Sequence, residues 1–97
     1  MISKKQVLKI HAKLIEEFGG KAGIRDEELL EAAILRPFGG FGDEEFYPSP
    51  EEKAAAIIES IVKNHPFLDG NKRTGYTLMR LILMSANRDI EANEDEK

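Results

Sequence analysis

Apolar positions repeat with a helical period in four stretches of the chain, and no stretch alternates strictly enough to predict a strand. The first stretch opens at Ser3, a favourable N-cap, with Gln6 three residues on to complete a capping box. Val7, His11, Leu14 and Phe18 then fall on one face, flanked by Leu8, Ile10 and Ile15, and Gly19 and Gly20 end the helix. A second helix is predicted over residues 26–36, with Leu29, Leu30, Ala33 and Ile34 inward. Pro37 stops it, because its ring disfavours helix in the preceding residue. The third has the clearest start: Ser49 as cap, Pro50 at the first helical position and Glu52 closing the box. Ala54, Ile58, Ile61 and His65 share one stripe, which predicts His65 at the end of a buried face. The fourth covers residues 71–85, where Leu78, Met79, Leu81, Ile82, Leu83 and Met84 nearly encircle the axis, as in a central buried helix. Residues 87–97 are acidic, turn polar at Glu91, and read as a frayed or solvated tail.

Residues 37–49 form a long connection rich in glycine and aromatics, with Phe38, Phe41, Phe46 and Tyr47 among Gly39, Gly40 and Gly42. A loop of this length in a small domain is functional or mobile. Its aromatics predict pinning to the surface or contact with a partner.

Composition narrows the class. The 97 residues hold one core and no second, so a single all-α domain is expected over residues 1–97, with its core in 1–87. Hydrophobic residues make up 41%, enough for a compact interior. Charged residues reach 33% with mixed signs and a net charge of -4, which gives no reason to expect direct nucleic-acid binding. The absence of cysteine excludes disulfides and thiolate metal sites. No apolar run approaches the about 20 residues of a membrane span, and the start lacks the apolar stretch of a secretory signal. A soluble, cytoplasmic protein is the simplest expectation.

The chemistry concentrates in residues 65–73, His-Pro-Phe-Leu-Asp-Gly-Asn-Lys-Arg. A Gly70–Asn71 turn at a helix start leaves backbone N–H groups free where the helix dipole favours an anion. Arg73 can grip phosphate oxygens with two parallel hydrogen bonds, and Lys72 adds a point charge. Asp69 is a hard oxygen ligand of the kind magnesium takes alongside phosphates. His65 has the proton affinity to accept a hydroxyl proton near neutral pH. Basic residues at a helix start oppose the helix dipole, a conflict that a bound anion resolves.

This stretch resembles the signature of the Fic/Doc family: His-Pro-Phe, any residue, Asp-Gly-Asn, then Gly or Lys, then Arg. Thr74 and Gly75 extend the match. Upstream, Phe18, Gly19, Gly20, Gly23, Ile24, Arg25 and Asp26, and then Ala32 to Pro37, resemble the death-on-curing branch, as does Tyr47-Pro48 before an alanine-rich helix. The resemblance implies an all-helical bundle that binds ATP and Mg²⁺ at the loop before a central helix. It implies that His65 activates a hydroxyl of a target protein, that Asp69 holds the metal, and that Gly70, Asn71, Lys72 and Arg73 hold phosphates. It places Phe41, Phe46 and Tyr47 in a target-docking flap.

Members that transfer AMP usually carry glycine where this chain has Lys72. Death-on-curing toxins carry lysine there, bind the nucleotide in reverse, and transfer the γ-phosphate. The resemblance therefore implies phosphotransfer to a translation factor, by analogy elongation factor Tu, with AMP transfer or a non-catalytic antitoxin-binding remnant as alternatives. Related toxins continue through a further C-terminal helix that has no counterpart before Lys97. Self-inhibited relatives carry Ser or Thr followed four residues on by Glu. Here those positions hold Val7, Lys53, Asn64, Leu78, Leu81 and Asp89, so a separate antitoxin is expected.

Overall fold

The fold was obtained as a computed structural model, which describes the backbone of residues 2–95 and the side chains of residues 2–86. Four α-helices carry it: α1 Lys4–Phe18, α2 Glu27–Leu35, α3 Pro50–Asn64 and α4 Asn71–Asp95. The caps form as their residues dictate. Ser3 and Gln6 close a capping box on α1, the Asp26 carboxylate accepts the Leu29 N–H at the start of α2, and Ser49 accepts the Glu52 N–H on α3.

α3 and α4 make the most extensive helix pair, with α2 against α3 and α1 against α4. Their shared core is Val7 from α1, Leu30, Ala33 and Ile34 from α2, Ala54, Ile57 and Ile61 from α3, and Leu78 and Ile82 from α4. Phe67, in the loop between α3 and α4, completes it from one end. Among the described residues no helix is long and apolar enough to cross a membrane.

The helical bundle is as expected, with four local corrections. A short 3-10 turn, Arg36–Phe38, follows α2 and buries Pro37. The glycine-rich connection, read as strandless, holds an antiparallel hairpin of β1 Gly40–Phe41 and β2 Glu44–Glu45. Gly42 enters its two-residue turn at φ 63°, the glycine-first geometry that matches strand twist. α4 is not buried all round: Leu78 and Ile82 are, Met79, Leu81 and Leu83 are half-buried, and Met84 is 53% exposed. Only α1 and α3 pack extensively on α4 among the described residues, which leaves the opposite side open. The α4 backbone also runs to Asp95 rather than Ser85, since no glycine or proline follows Gly75 to stop it. The last two tail residues lie outside the described range.

Candidate active site

α3 ends at Asn64 because His65 leaves the helix in the left-handed conformation, φ 48° and ψ 58°. It is the one non-glycine residue with positive φ among those described. A β-carbon there costs roughly 1–2 kcal/mol, which is why helices usually place glycine at this position. The expectation that His65 closes a buried stripe is thereby corrected. The left-handed step turns it off the face of Ala54, Ile57 and Ile61, and the residue is exposed.

Residues upstream of α2 hold the chain that follows. The Arg25 and Asp26 N–H groups donate to the Pro66 carbonyl at 2.7 and 3.1 Å, and Leu68 N–H donates to the Gly23 carbonyl at 3.1 Å. Ile24 and Phe67 form an isolated antiparallel bridge between these donors. The Arg25 guanidinium reaches the carbonyls of Asn64 and His65, each at 2.6 Å.

Phe67 is 1% exposed and lies flat on the His11 ring, with centroids 3.7 Å apart and planes 7° apart. His11, itself buried on α1, bonds through Nε2 to the Asp69 carbonyl at 2.8 Å. A carbonyl only accepts, so His11 Nε2 carries the hydrogen. His11, a polar residue on the apolar stripe of α1, is a brace under the loop.

Asn71, the first residue of α4, turns its amide into the loop rather than outward. Its Oδ1 accepts the Phe67 N–H at 3.0 Å and its Nδ2 donates to the Phe67 carbonyl at 3.0 Å. These two bonds fix which end of the amide is nitrogen. The same Nδ2 stands 3.4 Å from His65 Nδ1, so Nε2 is the ring nitrogen left facing away. The contact is long and the ring exposed. The tautomer with its hydrogen on Nδ1 and a lone pair on Nε2 is reached by giving up this one bond.

The Asp69 carboxylate is exposed but oriented: Oδ1 accepts the Gly70 N–H at 2.9 Å and Oδ2 accepts the Lys21 N–H at 3.2 Å. It nests against Gly20, where an added Cβ would stand 2.8 Å from Oδ2. That glycine reads in the sequence as a helix stop, yet it also makes room for the carboxylate. No group of three or more metal-binding side chains occurs among the described residues. A lone carboxylate suits magnesium, which takes one or two carboxylates and completes its shell with water and phosphate oxygens.

Gly70 turns the chain into α4 at φ 75°. Thr74 N–H is the first in the helix to find a carbonyl, that of Gly70 at 3.0 Å, so the N–H groups of Asn71, Lys72 and Arg73 have no intrahelical acceptor. Lys72 and Arg73 are exposed beside them, and the Thr74 hydroxyl is buried without a partner. Unpaired N–H groups, a positive helix end and two cations fit a polyphosphate.

Arg73 lies over the Phe18 ring, 4.0 Å from its centroid. Together with Lys72 it rims a groove of about 540 Å³ between α1, α3 and α4, walled by Leu14, Phe18, Ile58, Val62 and Tyr76. The structure therefore gathers His65, Asp69, Gly70 and Asn71 around Phe67 and sets Lys72 and Arg73 on an adjoining apolar groove.

The aromatics of the connection stand apart. Phe41 and Phe46 are 82% and 62% exposed on the hairpin. Its stem is tied to α3 by Lys53, which bonds Glu45 and the Tyr47 carbonyl, and by Arg36, which bonds the Tyr47 hydroxyl, Ser60 and Glu59. His65 lies five residues beyond Ser60, about 7.5 Å of helical rise. His11, Arg25 and Gly20 were missed as site residues in the sequence reading, since each acts across a long sequence gap.

A profile of the Fic/DOC family matches residues 1–83. Toxin Doc of Mycolicibacterium smegmatis is 37% identical over 84 residues, covering 80% of this chain and 65% of its own length. The chain thus spans just under two thirds of that relative. No solved structure matches the chain.

Proposed function

Because the chain belongs to the Fic/DOC family, we propose that it is a toxin-like enzyme that transfers the γ-phosphate of ATP to a hydroxyl of a protein. The observation that carries this reading is His65, held off its helix beside an oriented carboxylate and a positively charged helix start. In the reaction the acceptor oxygen bonds to the γ-phosphorus, the bond to the β–γ bridging oxygen breaks, and ADP leaves. His65 takes the hydroxyl proton on Nε2. Asn71 holds the Phe67 main chain that follows His65, and the free N–H groups of α4 with Lys72 and Arg73 bind the phosphates. Asp69 would hold Mg²⁺, which when bound neutralises phosphate charge. Lys72 supports γ- over α-phosphate transfer, because its side chain and charge occupy the space that glycine leaves open in AMP-transferring relatives.

The protein acceptor is a translation factor by family analogy, and the hairpin, with Phe41 and Phe46 exposed and Tyr47 tied down at its stem, is its docking flap. An antitoxin is the second partner. The relative's name supports this, as does the groove beside Lys72 and Arg73, whose apolar walls and basic rim suit an acidic amphipathic segment.

The test is incubation of the protein with cell lysate and ATP labelled at either the γ- or the α-phosphate. Label on protein from the γ-position alone is expected. Label from the α-position alone overturns phosphotransfer in favour of AMP transfer, and no label in either case overturns catalysis.

A further inference from the structure

We propose that Arg25 is a positioning residue for the reaction, setting the backbone from which His65 works; this rests on reading His65 as the proton acceptor. Within residues 65–73, Pro66 disfavours right-handed helix at His65 and Asn71 holds the main chain of Phe67, yet neither bonds the carbonyls of Asn64, His65 and Pro66, whose directions select the left-handed conformation. On the helix side its N–H still bonds the Ile61 carbonyl at 3.1 Å, as any last-turn residue does. The opposing restraint comes from Arg25.

Three consecutive carbonyls leave α3 here, and Arg25 with its neighbour takes all three. Arg25 Nη2 donates to Asn64, Arg25 Nε donates to His65, and the main-chain N–H groups of Arg25 and Asp26 donate to Pro66. With those oxygens fixed, the peptide planes on either side of His65 cannot turn away from the left-handed step, toward helix or toward the extended conformation that Pro66 favours. A guanidinium suits the place: its donors are set in a rigid fork, and its charge complements the negative end of α3. Arg25 is itself anchored, because the next residue is the N-cap of α2, with Asp26 Oδ1 accepting the Leu29 N–H at 3.0 Å.

The consequence is directional. If the helix continued, His65 would fall four residues after Ile61, on the buried stripe, and its ring would be lost to solvent. The left-handed step brings Nδ1 instead to Asn71 Nδ2. Arg25 thus sets the backbone from which the ring projects, and Asn71 meets the ring only in the tautomer with its hydrogen on Nε2. Arg25 is exposed, so the fold depends little on it, whereas a base displaced by an ångström loses much of its rate.

The experiment compares Arg25→Met, Arg25→Lys and His65→Ala with the wild-type chain. Three quantities are measured: calorimetric binding of ATP with Mg²⁺, transfer of γ-label to lysate protein, and the NMR Cα shift and HN–Hα coupling of His65, which report its φ. Arg25→Met is expected to bind ATP within about 2-fold of wild type, to transfer about 10–100-fold more slowly, and to move the His65 backbone signals away from left-handed values, toward the extended values favoured before Pro66, while those of Ile57 and Leu78 stay. Arg25→Lys, which keeps the charge and part of the bonding, is expected to recover part of the rate; it also serves if Arg25→Met does not fold. Unmoved His65 signals overturn the proposal whatever the activity, and so do moved signals with a wild-type rate. A His65→Ala chain as active as wild type removes the base reading instead, and leaves the effect of Arg25 on the backbone standing as a separate result.

Discussion

At the scale of the residue, His65 occupies a backbone conformation that costs stability, and the cost sits where the chemistry is proposed. This leads to opposite expectations for stability and activity. His65→Gly relieves the strain and is expected to stabilise the fold by about 1 kcal/mol, raising the thermal midpoint by a few degrees. Transfer is expected to fall on the order of 10²–10⁴-fold with the proposed base gone. Thermal melts with a labelled-ATP assay check both, and a less stable glycine variant would show that the left-handed residue is not strained. Asp69 and Arg73 differ in a second way. Asp69→Ala is expected to weaken ATP binding in a manner that added Mg²⁺ partly restores. Arg73→Ala, which removes the proposed phosphate grip, is expected to weaken binding in a manner that added metal does not restore. Calorimetric titrations at low and high Mg²⁺ separate the two, and identical responses would contradict the assignment.

At the scale of the element, the loop between α3 and α4 is held by side chains that point inward. Asn71 satisfies both main-chain groups of Phe67, so Asn71→Ala leaves a buried N–H and C=O without partners. The loss is expected to be about 2–3 kcal/mol, read from urea unfolding. α1 and α2 are joined differently, through Lys4, which bonds Glu27 and Glu31 at the surface. The Glu27 carboxylate first, and Glu31 second, hold the Lys4 ammonium above its ordinary value of 10.5. A raised folded value means the contribution is whole below the ordinary value and vanishes as pH rises through the raised one. The urea midpoints of wild type and Lys4→Met are therefore expected to differ at neutral pH and converge in strong alkali; a gap that persists there would remove the linkage.

What could be read in advance at this scale follows from range. Caps and stripes are local, so Ser3 with Gln6, Asp26, and Ser49 with Glu52 announced their helices. The motif is contiguous, and its residues meet around Phe67. His11 meets Asp69 across 58 positions and Arg25 meets His65 across 40, and no periodicity carries information over such gaps. The hairpin escaped because two-residue strands offer no alternation to detect. The position of His65 escaped because a helical wheel assumes the helix continues, and here it ends on a non-glycine.

At the scale of the whole molecule, one face combines an apolar groove with the basic start of α4. Its walls come from three helices, so no single helix pattern displays it: Leu14 and Phe18 from α1, Ile58 and Val62 from α3, Tyr76 from α4. Phe18 and Tyr76 are 56% and 53% exposed, large apolar surface to leave in water beside two cations. Arg73 stacks on Phe18, so anything seated in the groove touches a residue proposed to grip phosphate. A partner helix with apolar residues inward and carboxylates toward Lys72 and Arg73 would therefore fill the groove and withdraw both cations from nucleotide in one step. Binding and inhibition are then coupled: ATP with Mg²⁺ and the antitoxin are expected to weaken one another by the same factor. The groove wall offers a probe away from the motif. Tyr76→Glu puts a like charge against the acidic segment on an exposed position and is expected to weaken partner binding at least about tenfold, with the thermal midpoint little changed. Co-expression with neighbouring reading frames, followed by calorimetry on the captured pair with and without ATP, reads both effects. If the pair binds equally well in saturating ATP and tolerates Tyr76→Glu, the proposed antitoxin sits elsewhere, and this groove is not the place where the proposed activity is inhibited.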